Sequence, residues 1–219
     1  MTAHPEKGLR GPNLSLELAY WRNGKLKAGG IDEAGRGAWA GPVAAAVVVL
    51  PQNPGIGEML QGVRDSKLML PAQRTYWAGR IKSMAAAWAV GMASHQEIDS
   101  IGIIPATRLA ARRALEQLPF MPDALFLDWL ALPQVKVQQV SIIKGDNRVL
   151  SVSCASVLAK TTRDALMVEM DSRYPAYGFA AHKGYGTATH MAVLQSQGPC
   201  PIHRLSYKPL KEKIPDIHF

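Results

Sequence analysis

Asp32 and Glu33 are adjacent carboxylates, and Gly35-Arg36-Gly37 follows almost at once. Neighbouring carboxylates concentrate negative charge, which is costly unless a cation lies between them. Their oxygens suit hard divalent ions such as Mg2+ or Mn2+. Two glycines flanking one residue let backbone N–H groups approach a ligand closely, because no Cβ intervenes. The stretch therefore reads as a metal site beside a phosphate or sugar contact. An Asp-Glu pair alone is more commonly a polar turn between strands, but two further acids stand in comparable places. Asp128 closes the apolar run Ala124-Leu125-Phe126-Leu127, and Asp146 follows Lys144-Gly145. Such a set of carboxylates can hold two divalent ions about 3.5–4 Å apart, an arrangement that supports in-line attack on a phosphodiester.

These acids need elements to carry them. Leu26 to Ile31 reads as a strand delivering Asp32 at its end, and Val43 to Leu50 as a buried strand. Side chains alternate along a strand, so Glu33 is expected where the chain already bends towards the glycine triplet. Ala124–Leu127 fits a central strand covered on both faces, with its acid at the carboxyl edge, where ligands of open α/β sheets collect. Ala85–Met92 and Val135–Ile143 are predicted as further strands. Helices are predicted after Leu70-Pro71 to about Met84, over Ile104–Leu118, Cys154–Asp171 and Thr187–Gln197, with a short amphipathic piece from Leu14 to Trp21. Ile98–Gly102 reads as a turn. Ser156, Lys160 and Arg163 share a flank of the Cys154 helix.

The formal net charge is +8, distributed as +3 over residues 1–29, 0 over 30–132 and +5 over 133–219. A basic excess at the chain ends favours an anionic partner, nucleic acid first. No apolar run approaches the roughly 20 residues needed to span a membrane. Residues 1–14 lack the apolar stretch of a secretory signal, so a cytoplasmic location is expected. Cys154 and Cys200 are far apart and show no zinc-binding pattern, which points to buried, reduced thiols. Residues 1–13 read as a flexible tail and 14–219 as one domain. A Rossmann nucleotide loop is a poor reading, because Gly35, Gly37 and Gly41 are spaced GxGxxxG.

Several segments together resemble one family. They are Gly30-Ile31-Asp32-Glu33-Ala34-Gly35-Arg36-Gly37, Asp65-Ser66-Lys67, Leu127-Asp128, Lys144-Gly145-Asp146 and Ser156 to Asp164. Tyr177-Gly178-Phe179, His182-Lys183-Gly184-Tyr185-Gly186-Thr187 and Gly198 to Arg204 continue the series, in order, from about residue 26 to 208. In these the chain is similar to ribonuclease HII. The resemblance implies a ribonuclease H-like α/β fold: a central mixed β-sheet flanked by helices, with a C-terminal helical extension that binds substrate, at about 172–210. It implies a metal-dependent endoribonuclease, acting as a monomer, that degrades the RNA strand of RNA–DNA hybrids. It also implies incision of duplex DNA 5′ to embedded ribonucleotides, leaving 3′-hydroxyl and 5′-phosphate ends.

Residue by residue, the resemblance makes Asp32, Glu33, Asp128 and Asp146 the catalytic acids, holding two Mn2+ or Mg2+ ions with substrate bound. Gly35, Arg36 and Gly37 are implied to read the 2′-hydroxyl, the group that tells RNA from DNA locally. Tyr185 is implied to stack on the deoxyribose that follows. Lys160, Arg163 and Lys67 are expected to contact phosphates, which position a duplex without reading sequence. Taken singly, Tyr185 would be a packed surface aromatic, and Lys160 and Arg163 a solvated helix face. His182, His190 and His203 are left out of the metal site, His182 being expected to orient a loop; Asp65 and Asp164 are expected as caps or ion pairs. The chain departs from the family pattern at Trp129, where glycine usually follows the third acid. A non-catalytic binding module is the rival reading, but it has no reason to set carboxylates against phosphates. Ribonuclease HIII, with its extra N-terminal domain, fits less well, since only 31 residues precede Asp32.

Overall fold

A computed structural model describes residues 11–211. In chain order the elements are α1 Ser15–Arg22, β1 Ala28–Ala34, β2 Val43–Val49, α2 Ile56–Met59, α3 Pro71–Met84 and β3 Ala87–Ala93. Then come α4 His95–Ile101, α5 Ile103–Glu116, β4 Ala124–Leu127, β5 Gln138–Ser141 and α6 Leu150–Arg173. The short α7 Phe179–His182, α8 Ala188–Gln197 and α9 Lys208–Lys211 complete the described chain. The strands form one sheet in the order β3-β2-β1-β4-β5, with β1–β4 and β4–β5 parallel. The α/β class is as the sequence implies. Of the expected tail, residues 1–10 lie outside the described residues.

The chain divides into two compact units, each built from discontinuous segments. The first takes residues up to 32, 48–88 and 120–157. In it Tyr20 from α1 meets Phe126 from β4 edge to face, with centroids 5.0 Å apart, over Ala28, Val149 and Val152. Gly30 in β1 lies so close to the start of α6 that a Cβ there would stand 2.2 Å from the Ser151 carbonyl carbon, so only glycine fits. Glu17 of α1, fully buried, accepts the Ser151 N–H at 2.8 Å and so caps α6 from a distant part of the chain.

The second unit takes residues 33–47, 89–119 and 158 onward. Its core gathers Ala40, Met167, Tyr177, Phe179, Leu194 and Leu210.

Four sequence expectations are corrected. β1 does not stop at Ile31 but runs through Asp32 and Glu33 to Ala34, so the bend comes after both acids. Ile98–Gly102 is not a turn but the end of α4, which Ser94 and Glu97 start as a reciprocal capping box. The strand expected over Val135–Ile143 shrinks to Gln138–Ser141, whose side chains are half-buried or exposed, as suits the sheet's last strand. α6 begins at Leu150 rather than Cys154, because Glu17 supplies a cap the local sequence lacks.

Candidate functional site

In the first unit the strand register brings acids together. Ile31 pairs with Leu127 across β1 and β4, so the next residues, Asp32 and Asp128, stand side by side at the carboxyl ends of neighbouring parallel strands. Asp128 Oδ1 accepts the Gly145 N–H at 2.8 Å, which ties the loop carrying Asp146 to the end of β4. Lys144 adopts a left-handed conformation (φ 56°) just before a 3-10 turn over Gly145–Asn147 that turns Asp146 inward. Asp146 is 4% exposed; its Oδ1 accepts from Asn147 Nδ2 at 3.2 Å and its Oδ2 faces Lys67 Nζ at 3.7 Å. Asp65, also buried, accepts the Lys67 N–H at 3.0 Å as a cap.

The electrostatics fit a cation. Burial first, then the charge of Asp65, pushes the Asp146 carboxyl above its ordinary range; Lys67 opposes this and Asp128 adds to it. Among the described residues, however, no group of three or more His, Cys, Asp or Glu is drawn tightly enough to form a ready-made metal cage. The donors are all carboxylate oxygens, the set that hard divalent ions take. Trp129 sits half-buried on the bend that follows Asp128.

In the second unit Glu33 lies 11% exposed and accepts from Arg36 Nη1 at 3.3 Å. Gly35 has φ +94°, and a Cβ there would stand 2.0 Å from Arg163 Nε. Both facts demand glycine. Gly37 differs: nothing lies within 4 Å of where its Cβ would be, so that side of the loop is open.

The expectation for Arg163 is corrected. It is not on a solvated flank but fully buried, with Nε on Pro42 O at 2.8 Å, Nη1 on Lys183 O at 3.0 Å and Nη2 on Ala40 O at 3.0 Å. Its burial leaves no face for a phosphate. The guanidinium instead pins the 40–42 backbone to that of Lys183, and it supports the ring of Tyr185 from 5.3 Å. Lys160 keeps some exposure: it pairs with Asp164 at 2.8 Å and lies 5.1 Å from the Tyr185 ring centre. Tyr185 thus rests against two cations, each such contact contributing about 0.5–2 kcal/mol.

Sequence reasoning missed how heavily the Tyr185 loop is braced. Trp39 N–H donates to Gly184 O at 2.8 Å, and its ring fills the space a Cβ on Gly186 would need. Behind the loop stand three histidines: His190 and His203 are hydrogen-bonded to each other, and the His182 ring stacks on His190 with centroids 4.4 Å apart. His190 Nδ1 faces Tyr185 O at 3.0 Å and must donate, since a carbonyl only accepts. Neutral His190 Nε2 is therefore a bare acceptor, so His203 Nε2, 2.9 Å away, carries the proton. In that arrangement His203 Nδ1 is bare and accepts the Cys200 N–H at 2.9 Å, with Cys200 Sγ and O each 3.1 Å from the same nitrogen. His182 Nε2 donates to Tyr177 O at 2.7 Å while its Nδ1 accepts the Gly184 N–H at 3.1 Å, which is how it orients the loop. Burial above all drives His203 down to about 4 and lowers His190, in keeping with a neutral chain. The sequence signal for this brace was His182, set just ahead of Gly184 and Gly186.

Comparison with known proteins identifies the lineage. The family model described as Ribonuclease HII matches residues 29–210. The chain belongs to the ribonuclease HII family. A Roseiflexus castenholzii ribonuclease HII is 48% identical over 205 residues, 93% of this chain and 92% of its own. One from Thermus thermophilus is also 48% identical, over 90% of this chain and 93% of its own. Among solved structures, the ribonuclease H2 of Pyrococcus horikoshii OT3 superposes with TM-score 0.70 at 24% identity, covering 85% of this chain and 96% of its own. Bst-RNase HIII in complex with Mn2+ superposes at 0.61 with 17% identity, over 86% of this chain and 69% of its own; at these identities the likeness is one of fold. Ribonucleases HII are divalent-metal-dependent endonucleases that degrade RNA in RNA–DNA hybrids, and this chain is one of them. Among the described residues no helix is long and apolar enough to cross a membrane.

Proposed function

We propose that this chain also incises duplex DNA on the 5′ side of a single embedded ribonucleotide, leaving a 3′-hydroxyl and a 5′-phosphate. The observation that supports the reading is the open side of Gly37, where nothing lies within 4 Å of a Cβ position, in a chain whose β1–β4 register pairs Ile31 with Leu127 just ahead of Asp32 and Asp128. Asp32, Glu33, Asp128 and Asp146 hold the metals, Mg2+ or Mn2+. When bound, such ions supply an activated water and neutralise charge on the leaving oxygen.

The remaining residues bind and orient. The open side of Gly37 receives the sugar carrying the 2′-hydroxyl, and Gly35 is reserved for packing on Arg163. Tyr185, steadied by Lys160 and Arg163, offers its ring to the deoxyribose that follows. Lys67, 74% exposed and next to Asp146, reaches a backbone phosphate. Arg163 takes no part in that contact, being spent on three backbone carbonyls.

The test is a duplex DNA carrying one ribonucleotide, assayed beside a continuous RNA–DNA hybrid in Mg2+ and in Mn2+. A nick 5′ to the lone ribonucleotide, with a ligatable 3′-hydroxyl, is the expected product. Cleavage of the continuous hybrid alone would refute the junction reading.

A further inference from the structure

The turn that carries Gly37 is held by two residues outside the established chemistry. Ala38 N–H donates to Gly35 O at 3.3 Å, closing a β-turn with Arg36 and Gly37 at its centre. The carbonyl of Arg36, on the central peptide, accepts from Arg204 Nη1 at 2.9 Å and from the Tyr207 hydroxyl at 2.6 Å. Arg204 is fully buried; its Nε bonds Gly41 O at 2.9 Å, its Nη2 bonds Pro42 O at 3.0 Å, and its Nη1 also reaches the Tyr207 oxygen at 3.1 Å.

A trans peptide is planar, with its C=O and N–H pointing in opposite directions. Fixing the Arg36 carbonyl on buried Arg204 therefore aims the Gly37 N–H away from the interior. The same rule is visible at the peptide joining Ala40 and Gly41. Ala40 O is held by Arg163, and the Gly41 N–H on the other side of that peptide goes to Ile202 O at 2.9 Å.

This turn needs holding. Neither Arg36 nor Gly37 has positive φ, so the turn is of the type I kind. Rotating its central peptide by half a turn gives type II, whose third position requires positive φ, a conformation glycine adopts freely. The glycine that opens the loop to a ligand thus also lets it flip its N–H inward.

We propose that Arg204 and Tyr207 are positioning residues that lock the 36–37 peptide with its N–H outward, and that this lock sets the discrimination for a 2′-hydroxyl. The inference rests on the reading of Gly35-Arg36-Gly37 as the sugar contact. Tyr207 adds the second hydrogen bond on the carbonyl that Arg204 holds, and its ring lies 5.2 Å from the guanidinium.

The experiment uses the full chain and the variant Tyr207→Phe, which keeps the ring against Arg204 and removes only the hydroxyl. Two DNA duplexes are compared, one with a single ribonucleotide and one with a 2′-deoxy-2′-fluoro nucleotide at that place. The fluorine keeps the sugar shape but is a poor acceptor. The ratio of kcat/KM for the two substrates is read, because loss of folded enzyme would lower both alike. Tyr207→Phe is expected to reduce the ratio roughly five- to tenfold, the share of one hydrogen bond. Its Kd for an all-DNA duplex should stay unchanged. Arg204→Lys, which retains charge but not the fork, should reduce the ratio further in whatever fraction folds. A wild-type enzyme that discriminates, with a Tyr207→Phe variant that discriminates as sharply, would overturn the lock and leave the sugar reading intact. A wild-type enzyme that cuts both substrates equally would overturn the sugar reading and the lock with it.

Discussion

Replacing Gly35 with alanine would act on stability, and replacing Gly37 would act on catalysis, although the two glycines flank a single residue. At Gly35 the new methyl meets Arg163 Nε at 2.0 Å and Cδ at 2.4 Å, and the backbone sits at φ +94°. The backbone strain costs about 1–3 kcal/mol for a residue other than glycine. Arg163 cannot yield cheaply, since it is buried and its three nitrogens are bonded to Pro42, Lys183 and Ala40. Loss of even one of those charge-assisted bonds adds about 1.5–3 kcal/mol. Gly35→Ala is therefore expected to cost about 3–5 kcal/mol, which for a chain of this size lowers Tm by roughly 10 °C. At Gly37 no atom lies within 4 Å of the added methyl and φ is not positive. Gly37→Ala should change stability by less than about 0.5 kcal/mol yet obstruct the sugar and cut turnover on the single-ribonucleotide duplex. Thermal melts and kcat/KM on that duplex, measured side by side, separate the two. If Gly35→Ala melts within roughly 3 °C of wild type, about 1 kcal/mol at this size, or if Gly37→Ala is equally destabilised, the packing argument is wrong.

Asp128→Asn should abolish turnover by orders of magnitude while leaving stability and hybrid binding nearly intact, since asparagine Oδ1 can still accept the Gly145 N–H; ordinary turnover in that variant would remove Asp128 from the ligand set. Chelation with EDTA should stop cleavage of a continuous hybrid and leave its binding measurable by fluorescence anisotropy; cleavage persisting in EDTA would contradict a carboxylate metal site. The neutral histidine chain predicts a pH dependence of stability. His203 titrates near 6.5 when unfolded but is held at about 4 when folded, so the unfolded chain binds the extra proton first. Its contribution is complete above pH 6.5 and is lost progressively as pH falls towards 4, by at most about 3 kcal/mol. An NMR titration that placed the His203 ring near its ordinary value would refute the assigned tautomers.

Much of the candidate site was legible because its signals are local. Asp128 follows directly on an apolar strand and Asp32 lies near the end of another, and β4 is buried at all four positions, Ala124 to Leu127, as a two-face-covered strand should be. The α4 capping box, Ser94 with Glu97, is an equally local signal. β1 ran on past its predicted end because partner strands, rather than the Asp-Glu pair, decide where pairing stops.

What the sequence determined by itself was the chemistry on offer: carboxylates at strand ends, glycines beside them, a basic surplus for an anionic partner, and the family those motifs resemble. Tertiary structure alone decided which charges face a ligand and which serve the fold. Arg163 and Lys160 share a helix flank, and nothing in their spacing says that one is buried and the other partly open. Arg163 is buried because Ala40 and Pro42, more than 120 positions away, present carbonyls to it. Arg204 is buried because Arg36, Gly41 and Pro42 do the same across still longer separations. A guanidinium can leave water when enough oxygens replace its hydration, and those oxygens belong to backbone that only the folded chain brings near.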